Sequence, residues 1–274
     1  MTGRLRVRER LLILCVLVPL VCTIAGPCRG ESPYRLSRSK DGLVVGGSGA
    51  AAGVAVALGR TPTPLTVREI ERLSRGSING FDRGATYNYS EEISKASDVL
   101  VGVVAAAPLA LLLDTGVRDD WEACGLMYAE TMAIALILPA YGKGTVERIR
   151  PFVYDPEAPM EAKTTSDARK SFFSRHACAA FASATFLSTV YGDYNPGSGA
   201  KPYVWAGSLL AAAAVGVARY ESGQHYPTDI IAGAVAGCAV GYLIPRLHRA
   251  GGGAVSVVPA CPGAQAGISL QMKL

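Results

Sequence analysis

The chain has 274 residues, half of them hydrophobic, 18% charged and 31 of them glycine. That mix excludes a disordered or collagen-like protein and points to helices packed in, or beside, a membrane. Of the formal charge of +5, +4 sits at the start: Arg4, Arg6, Arg8, Arg10 and Arg29 face only Glu9 within residues 1–30, leaving 22 bases and 21 acids elsewhere. A body so close to neutral argues against nucleic acid as a partner.

Residues 1–30 read as a leader, with four Arg ahead of an apolar stretch from Leu11 to Cys22 and small residues after it. A signal peptide cut near Gly30 and an uncleaved N-terminal anchor are both open readings. Of seven Cys, only Cys124, Cys178, Cys238 and Cys261 lie beyond the leader. They form no C-x-x-C pair, and three sit in apolar stretches, which predicts buried thiols rather than metal ligands or a disulfide frame.

Apolar segments follow at Leu43–Leu58, Val99–Leu113, Ala123–Tyr141, Ala177–Tyr191, Tyr203–Ala218 and Ile230–Ile244. They are rich in Ala, Gly and Leu without strand-like alternation, so they predict a six-helix, all-α bundle. Their cores of about 15 residues fall short of the roughly 20 that span hydrocarbon. Membrane helices completed by polar ends are the favoured reading, and buried helices of a secreted enzyme the other. Gly233, Gly237 and Gly241 recur every four residues, which admits a neighbouring backbone.

The polar stretches add detail. Thr66-Val67-Arg68-Glu69 is a capping-box pattern that opens an amphipathic helix with Val67, Ile70 and Leu73 on one side. Residues 142–175 hold seven Lys or Arg. Stretches 60–96 and 142–175 are separated by two apolar helices and should share one face. At the C-terminus, Ala254–Val258 and the alternating Gly267–Leu274 predict a small β-hairpin. The resulting division is 1–30 leader or anchor, 31–96 N-terminal apolar segment and amphipathic helix, 97–248 helical core, and 249–274 tail.

Three short patterns carry chemistry. In Lys143–Pro151, a separation of seven residues is nearly two helical turns, so Lys143 and Arg150 can point the same way. Pro151 forces Arg150 out of helical geometry. Two cations on one point suit a phosphate dianion, and a solvated basic loop is the plainer alternative. Next, Ser171-Phe-Phe-Ser174-Arg175-His176 places a hydroxyl, free backbone N–H groups and an imidazole at the head of a helix. Third, in Arg219–Asp229, Pro227 fits a first helical turn shared with Asp229. Asp229 can then accept the Nδ1 proton of His225 and leave Nε2 as a nucleophile. Glu130, inside an apolar helix, reads as a buried hydrogen-bonding group or as support beneath the basic cluster, and His248 as a surface residue.

As an ordered set, K-x6-R-P, S-x-H and R-x5-H-x3-D resemble the type-2 phosphatidic acid phosphatase family, whose superfamily includes secreted acid phosphatases and vanadium-dependent haloperoxidases. The motifs anchor the resemblance over Lys143–Asp229, and the helix pattern extends it to about Ser97–Arg246. The resemblance implies hydrolysis of a phosphate monoester or pyrophosphate through a phosphohistidine, without a metal or other cofactor. It makes His225 the nucleophile, Asp229 its orienting partner and His176 the general acid. Lys143, Arg150 and Arg219 become the phosphate clamp, with Ser174 as an added donor.

The sequence departs from the family pattern at three positions: Phe173 stands for Pro and Arg175 for Gly in the second motif, and Ala218 for Ser at the start of the third. Arg175 then either obstructs the phosphate or adds a fourth cation, and the second reading is favoured. The expected substrate is a lipid phosphate or isoprenoid pyrophosphate, with membrane lipids around the protein. A soluble acid phosphatase, a vanadate-dependent haloperoxidase and a non-catalytic membrane protein are the alternatives. Positive loops by themselves favour the cytoplasm. As substrate-binding charges they leave the other face open, and the site is expected on the non-cytoplasmic side of a cell-envelope membrane.

Overall fold

A computed structural model describes residues 32–37, 41–42, 46–47, 49 and 62–250, and the backbone of 255–260 and 267–272. The expected leader, nearly all of the Leu43–Leu58 segment, and Cys261 lie outside the described residues.

The other apolar segments are all helices. In chain order the helices named among the described residues are α1 (Val67–Glu71), α2 (Gly80–Arg83), α3 (Glu91–Ala106), α4 (Thr115–Asp119), α5 (Trp121–Thr145), α6 (Met160–Lys163), α7 (Arg175–Tyr194), α8 (Lys201–Glu221) and α9 (Pro227–Leu247). The long ones outrun their apolar cores because polar residues complete the ends. Ser90 caps α3 by accepting the Ile93 N–H at 3.2 Å, and Glu91 and Glu92 fill its first turn, where the helix dipole favours acids. α3 runs on as a 3-10 helix to Leu113. Among the described residues, four spans, Glu91–Leu113, Trp121–Thr145, Lys201–Glu221 and Pro227–Leu247, are long and apolar enough to cross a membrane. Val99, Val103, Leu113, Leu210 and Val235 all point outward and are exposed, so the bundle is membrane-like.

α7 runs through the middle of this bundle and packs against α3, α5, α8 and α9. Its buried residues are mostly small, Ala177 to Ala180, Ala182, Ser183 and Ala184 among them. The glycine stripe of α9 lies on it. A Cβ at Gly233 would sit 2.5 Å from the Ser174 carbonyl oxygen, and at Gly237 and Gly241 closer still to those of Cys178 and Ala182. Close backbone contact replaces the hydrophobic drive that lipid-embedded helices lack.

Both polar stretches gather at one end, as expected. Arg75 donates to the Tyr154 carbonyl at 2.8 Å, and Arg148 meets Asp82 at 2.7 Å. The Thr66–Glu69 capping box forms, but α1 is a single turn: Ile70 and Leu73 pack near Leu65, Phe152 and Val153, whereas Val67 is exposed.

At the opposite end the N-terminal segment is tied down. Arg35 N donates to the His248 carbonyl at 2.7 Å and Ala250 N to that of Pro33 at 2.8 Å. Two expectations fail here. His248 is buried rather than on the surface, because the returning segment covers the end of α9. Glu130 does not support the basic cluster: it lies 3.4 Å from His248, thirteen residues and about 20 Å of helix from Lys143. Cys124, Cys178 and Cys238 are thiols, not disulfides. Beyond α9, β1 (Val255–Ala260) pairs antiparallel with β2 (Gly267–Met272).

Candidate active site

The polar end is where α5 and α8 finish and α7 and α9 begin. Lys143 is in the last turn of α5, which stops at Thr145, so Lys143 and Arg150 do not share a helix face. The chain turns instead, and Arg150 is extended ahead of Pro151 (φ −70°, ψ 149°), as the proline requires. The loop returns Arg150 to Lys143. At Asp167, burial pushes the carboxyl up, but Arg150, Lys143 and Lys170 together bring it below its ordinary value.

Arg150 and Arg219 are buried and converge on one amide. Arg150 Nη1 donates to Gln224 Oε1 at 2.9 Å, and Arg219 Nη2 donates to the same oxygen at 3.3 Å. Arg150 also donates to the Gln224 carbonyl (3.0 Å) and pairs with Asp167 (3.0 Å). Arg219 reaches Ser97 (2.9 Å), Ser94 (3.3 Å) and Asp98 (3.3 Å), and its buried Nε has no partner. The turn that delivers Gln224 depends on Gly223, whose φ is +68°; a Cβ there would land on the Asn88 carbonyl.

His225 follows, its backbone N–H bonded to the Arg219 carbonyl at 3.2 Å and its ring 1% exposed. Burial first, and then the charges of Arg150, Lys143, Arg219 and His176, hold its pKa well below 6.5, so the imidazole is neutral. Asp229 is fully buried, with Oδ2 3.7 Å from His225 Nδ1, beyond hydrogen-bond reach. Its oxygens are otherwise engaged: Oδ1 by Arg148 (2.5 Å), Oδ2 by the Ser171 hydroxyl (2.5 Å) and the Tyr226 N–H (3.1 Å). Nδ1 of His225 is left without a partner.

The second motif abuts the third, because Ser174 N donates to the Asp229 carbonyl at 3.1 Å. Ser174 is buried and caps α7, its Oγ accepting from Ala177 N at 3.3 Å. His176 Nε2 lies 2.8 Å from Asp98 Oδ1. Arg175 is exposed at the first position of α7, near enough to Lys143 and Arg219 for their charges to interact. Lys143, Arg150, Ser174, Arg175, His176, Arg219, His225 and Asp229 thus all gather at this end of the bundle.

Sequence reading missed the residues behind them. Arg148 donates to Asp229, Thr228 (2.8 Å) and Asp82 (2.7 Å) and lies 4.0 Å over the Tyr226 ring. Asp82 also accepts from Thr228 N (3.0 Å) and Asn79 (2.9 Å). Burial pushes the Asp82 carboxyl up, and these donors more than reverse it. Arg148 lies inside the first motif's quoted stretch, and Asp98 abuts an apolar segment, so position hinted at both. Nothing in the sequence singled out Asp82.

Two predictions arise here. Asp82→Asn keeps the shape but removes the charge opposite Arg148, and should lower stability by about 1–2 kcal/mol, read as Tm or denaturant midpoint. The other concerns acid. Unfolded His225 gains a proton as pH falls through its ordinary 6.5, while folded His225 resists, so stability declines below pH 6.5. His225→Asn should make the decline of Tm with pH shallower, and an unchanged slope would contradict the buried neutral imidazole.

Lys143, Arg150, Arg175 and Arg219 lie close enough for their charges to interact around a neutral imidazole, so the chemistry suits an oxyanion at the polar end of a membrane-like helical bundle. Residues 125–252 match the model of the PAP2 superfamily. The match agrees with the resemblance that the motifs carry, although it begins inside α5 rather than near Ser97. No curated protein matches the chain. Among solved structures, a transmembrane PAP2 type phosphatidylglycerolphosphate phosphatase from Bacillus subtilis is similar at 18% identity, with a TM-score of 0.39, over 86% of this chain and 94% of that one.

Proposed function

We propose that this protein hydrolyses a lipid phosphate monoester or isoprenoid pyrophosphate through a phosphohistidine, with residues 97–248 as the catalytic core. The observation that carries the reading is a neutral, buried His225 beside two buried guanidiniums that share the Gln224 amide. Phosphoryl transfer asks mainly for positioning and charge neutralisation, and Lys143, Arg150 and Arg219 supply three positive charges for the phosphoryl oxygens. Ser174 adds a hydroxyl proton, and exposed Arg175 a fourth charge for a pyrophosphate.

In the first step, His225 Nε2 attacks phosphorus and the ester P–O bond breaks. Burial and then the charge of Arg219 hold the His176 pKa down to about 4 in the free protein, so His176 takes up its proton when the phosphate dianion offsets the clamp, and gives it to the leaving oxygen. In the second, water attacks the phosphohistidine, His176 takes the water proton, and inorganic phosphate leaves. Asp98 holds the His176 ring toward Arg219. Asp229 sits behind His225, and a 3.7 Å separation is the kind that tightens when substrate and developing charge arrive.

A lipid substrate is favoured because the cluster caps helices whose outer faces are apolar, at the level where headgroups lie. The test is phosphate release from phosphatidate, phosphatidylglycerophosphate, an isoprenoid pyrophosphate, lipid A and an aryl phosphate. Preference for one of the lipids is expected, and preference for the aryl ester would overturn the lipid reading. Turnover should need no added Mg²⁺, and an absolute Mg²⁺ requirement would overturn the cationic-clamp mechanism.

A further inference from the structure

The far end of the bundle holds a second set of ionisable groups that the proposed reaction does not use. Asp41, Glu130 and His248 are 6%, 1% and 2% exposed. They come from the N-terminal segment, the middle of α5 and the residue after α9. His248 Nδ1 lies 2.8 Å from the Ile244 carbonyl, which can only accept, so Nδ1 carries the proton. Nε2 is thereby aimed at Asp41 Oδ1 (3.0 Å) and Glu130 Oε2 (3.4 Å). Asp41 is itself held in place, its Oδ2 accepting from Ser37 N at 2.9 Å. Glu130 is different: both its oxygens are buried with no hydrogen-bond partner.

A proton on Nε2 would serve Asp41 and leave Glu130 unsatisfied inside an apolar helix, an unfavourable arrangement. A dication satisfies all three at once, and two carboxylates balance its charge. The donor atoms of the three residues lie within 4.8 Å of one another. Tetrahedral zinc with bonds of about 2.0–2.1 Å sets its ligand atoms about 3.3 Å apart, and the two His248 distances bracket that value. A ring N–H on a backbone carbonyl is also the usual support for a metal-bound histidine. We propose that Asp41, Glu130 and His248 form a zinc site that fastens the N-terminal segment to the end of the bundle, remote from the phosphate cluster.

The test uses the full-length protein, purified, stripped with a chelator and titrated with Zn²⁺ by calorimetry, with Tm followed in parallel. One zinc per chain and a higher Tm with zinc are expected. Asp41→Asn and Glu130→Gln should each weaken zinc binding by more than about tenfold. Asp41 lies outside the long helices, so its variant reports on the site even if Glu130→Gln fails to fold. No uptake by the folded wild-type protein would overturn the proposal. Equal affinity in the wild type and in Asp41→Asn would mean an adventitious ion only, and would overturn it too.

Discussion

His225→Ala is expected to abolish phosphate release while leaving a folded protein. Deleting an enzyme's nucleophile lowers turnover by about 10⁴-fold or more, which corresponds to about 5 kcal/mol of transition-state stabilisation. The effect on the fold should be much smaller, because two terms oppose. A buried ring is lost and leaves a cavity, but so does a buried Nδ1 that has no partner and a group that resists protonation in a cationic setting. Tm and helical content should therefore stay close to wild type, and wild-type turnover in the variant would refute the assignment. Two readouts separate chemistry from architecture. Acid-labile, alkali-stable protein-bound phosphate should be absent in His225→Ala, and in His176→Asn it should persist longer, since the second step lacks its base. Added imidazole should restore part of the activity in the space left by His225→Ala.

The parts of this molecule legible in the sequence are those fixed by short-range rules. Pro151 dictates an extended Arg150, Thr66 and Glu69 close a capping box, and the four-residue glycine repeat marks the face of α9 that meets α7. Local rules also misled. Helical spacing suggested that Lys143 and Arg150 share a face, yet α5 ends at Thr145 and the two meet only because the loop folds back. What joins distant parts of the chain could not be read locally. Asp82 reaches Arg148 and Thr228 across 66 and 146 positions, and Asp41 reaches His248 across 207. Asp229 shows the same limit: spacing put it beside His225, but Arg148 and Ser171 compete for its oxygens. His248 looked like a surface residue because the segment that buries it begins more than two hundred positions earlier.

Gly237→Ala should destabilise the bundle, although alanine is the better helix former. The intrinsic preference favours alanine by up to about 1 kcal/mol. Against it stands the Cys178 carbonyl oxygen of α7, which a Cβ at position 237 would overlap, with Ala182 N at 2.9 Å beside it. Both obstacles are backbone atoms of the central helix, so no side chain can swing aside. Overpacking of this kind costs typically 1–3 kcal/mol and occasionally more, which outweighs the helix preference. Gly237→Leu should prevent α9 from seating on α7 and leave no stable bundle. Gly102 in α3 and Gly207 in α8 supply the control, since a Cβ at either meets nothing within 4 Å. Alanine there should be neutral or mildly stabilising by denaturant midpoint, and a Gly237→Ala variant as stable as those controls would refute the backbone contact. Gly233 links packing to chemistry, because its neighbour is the carbonyl of Ser174, the residue that caps α7 and sets the position of His176. Gly233→Ala should therefore lower kcat at temperatures where the variant remains folded, whereas Gly241→Ala, two turns farther from the site, should lower Tm with little change in kcat.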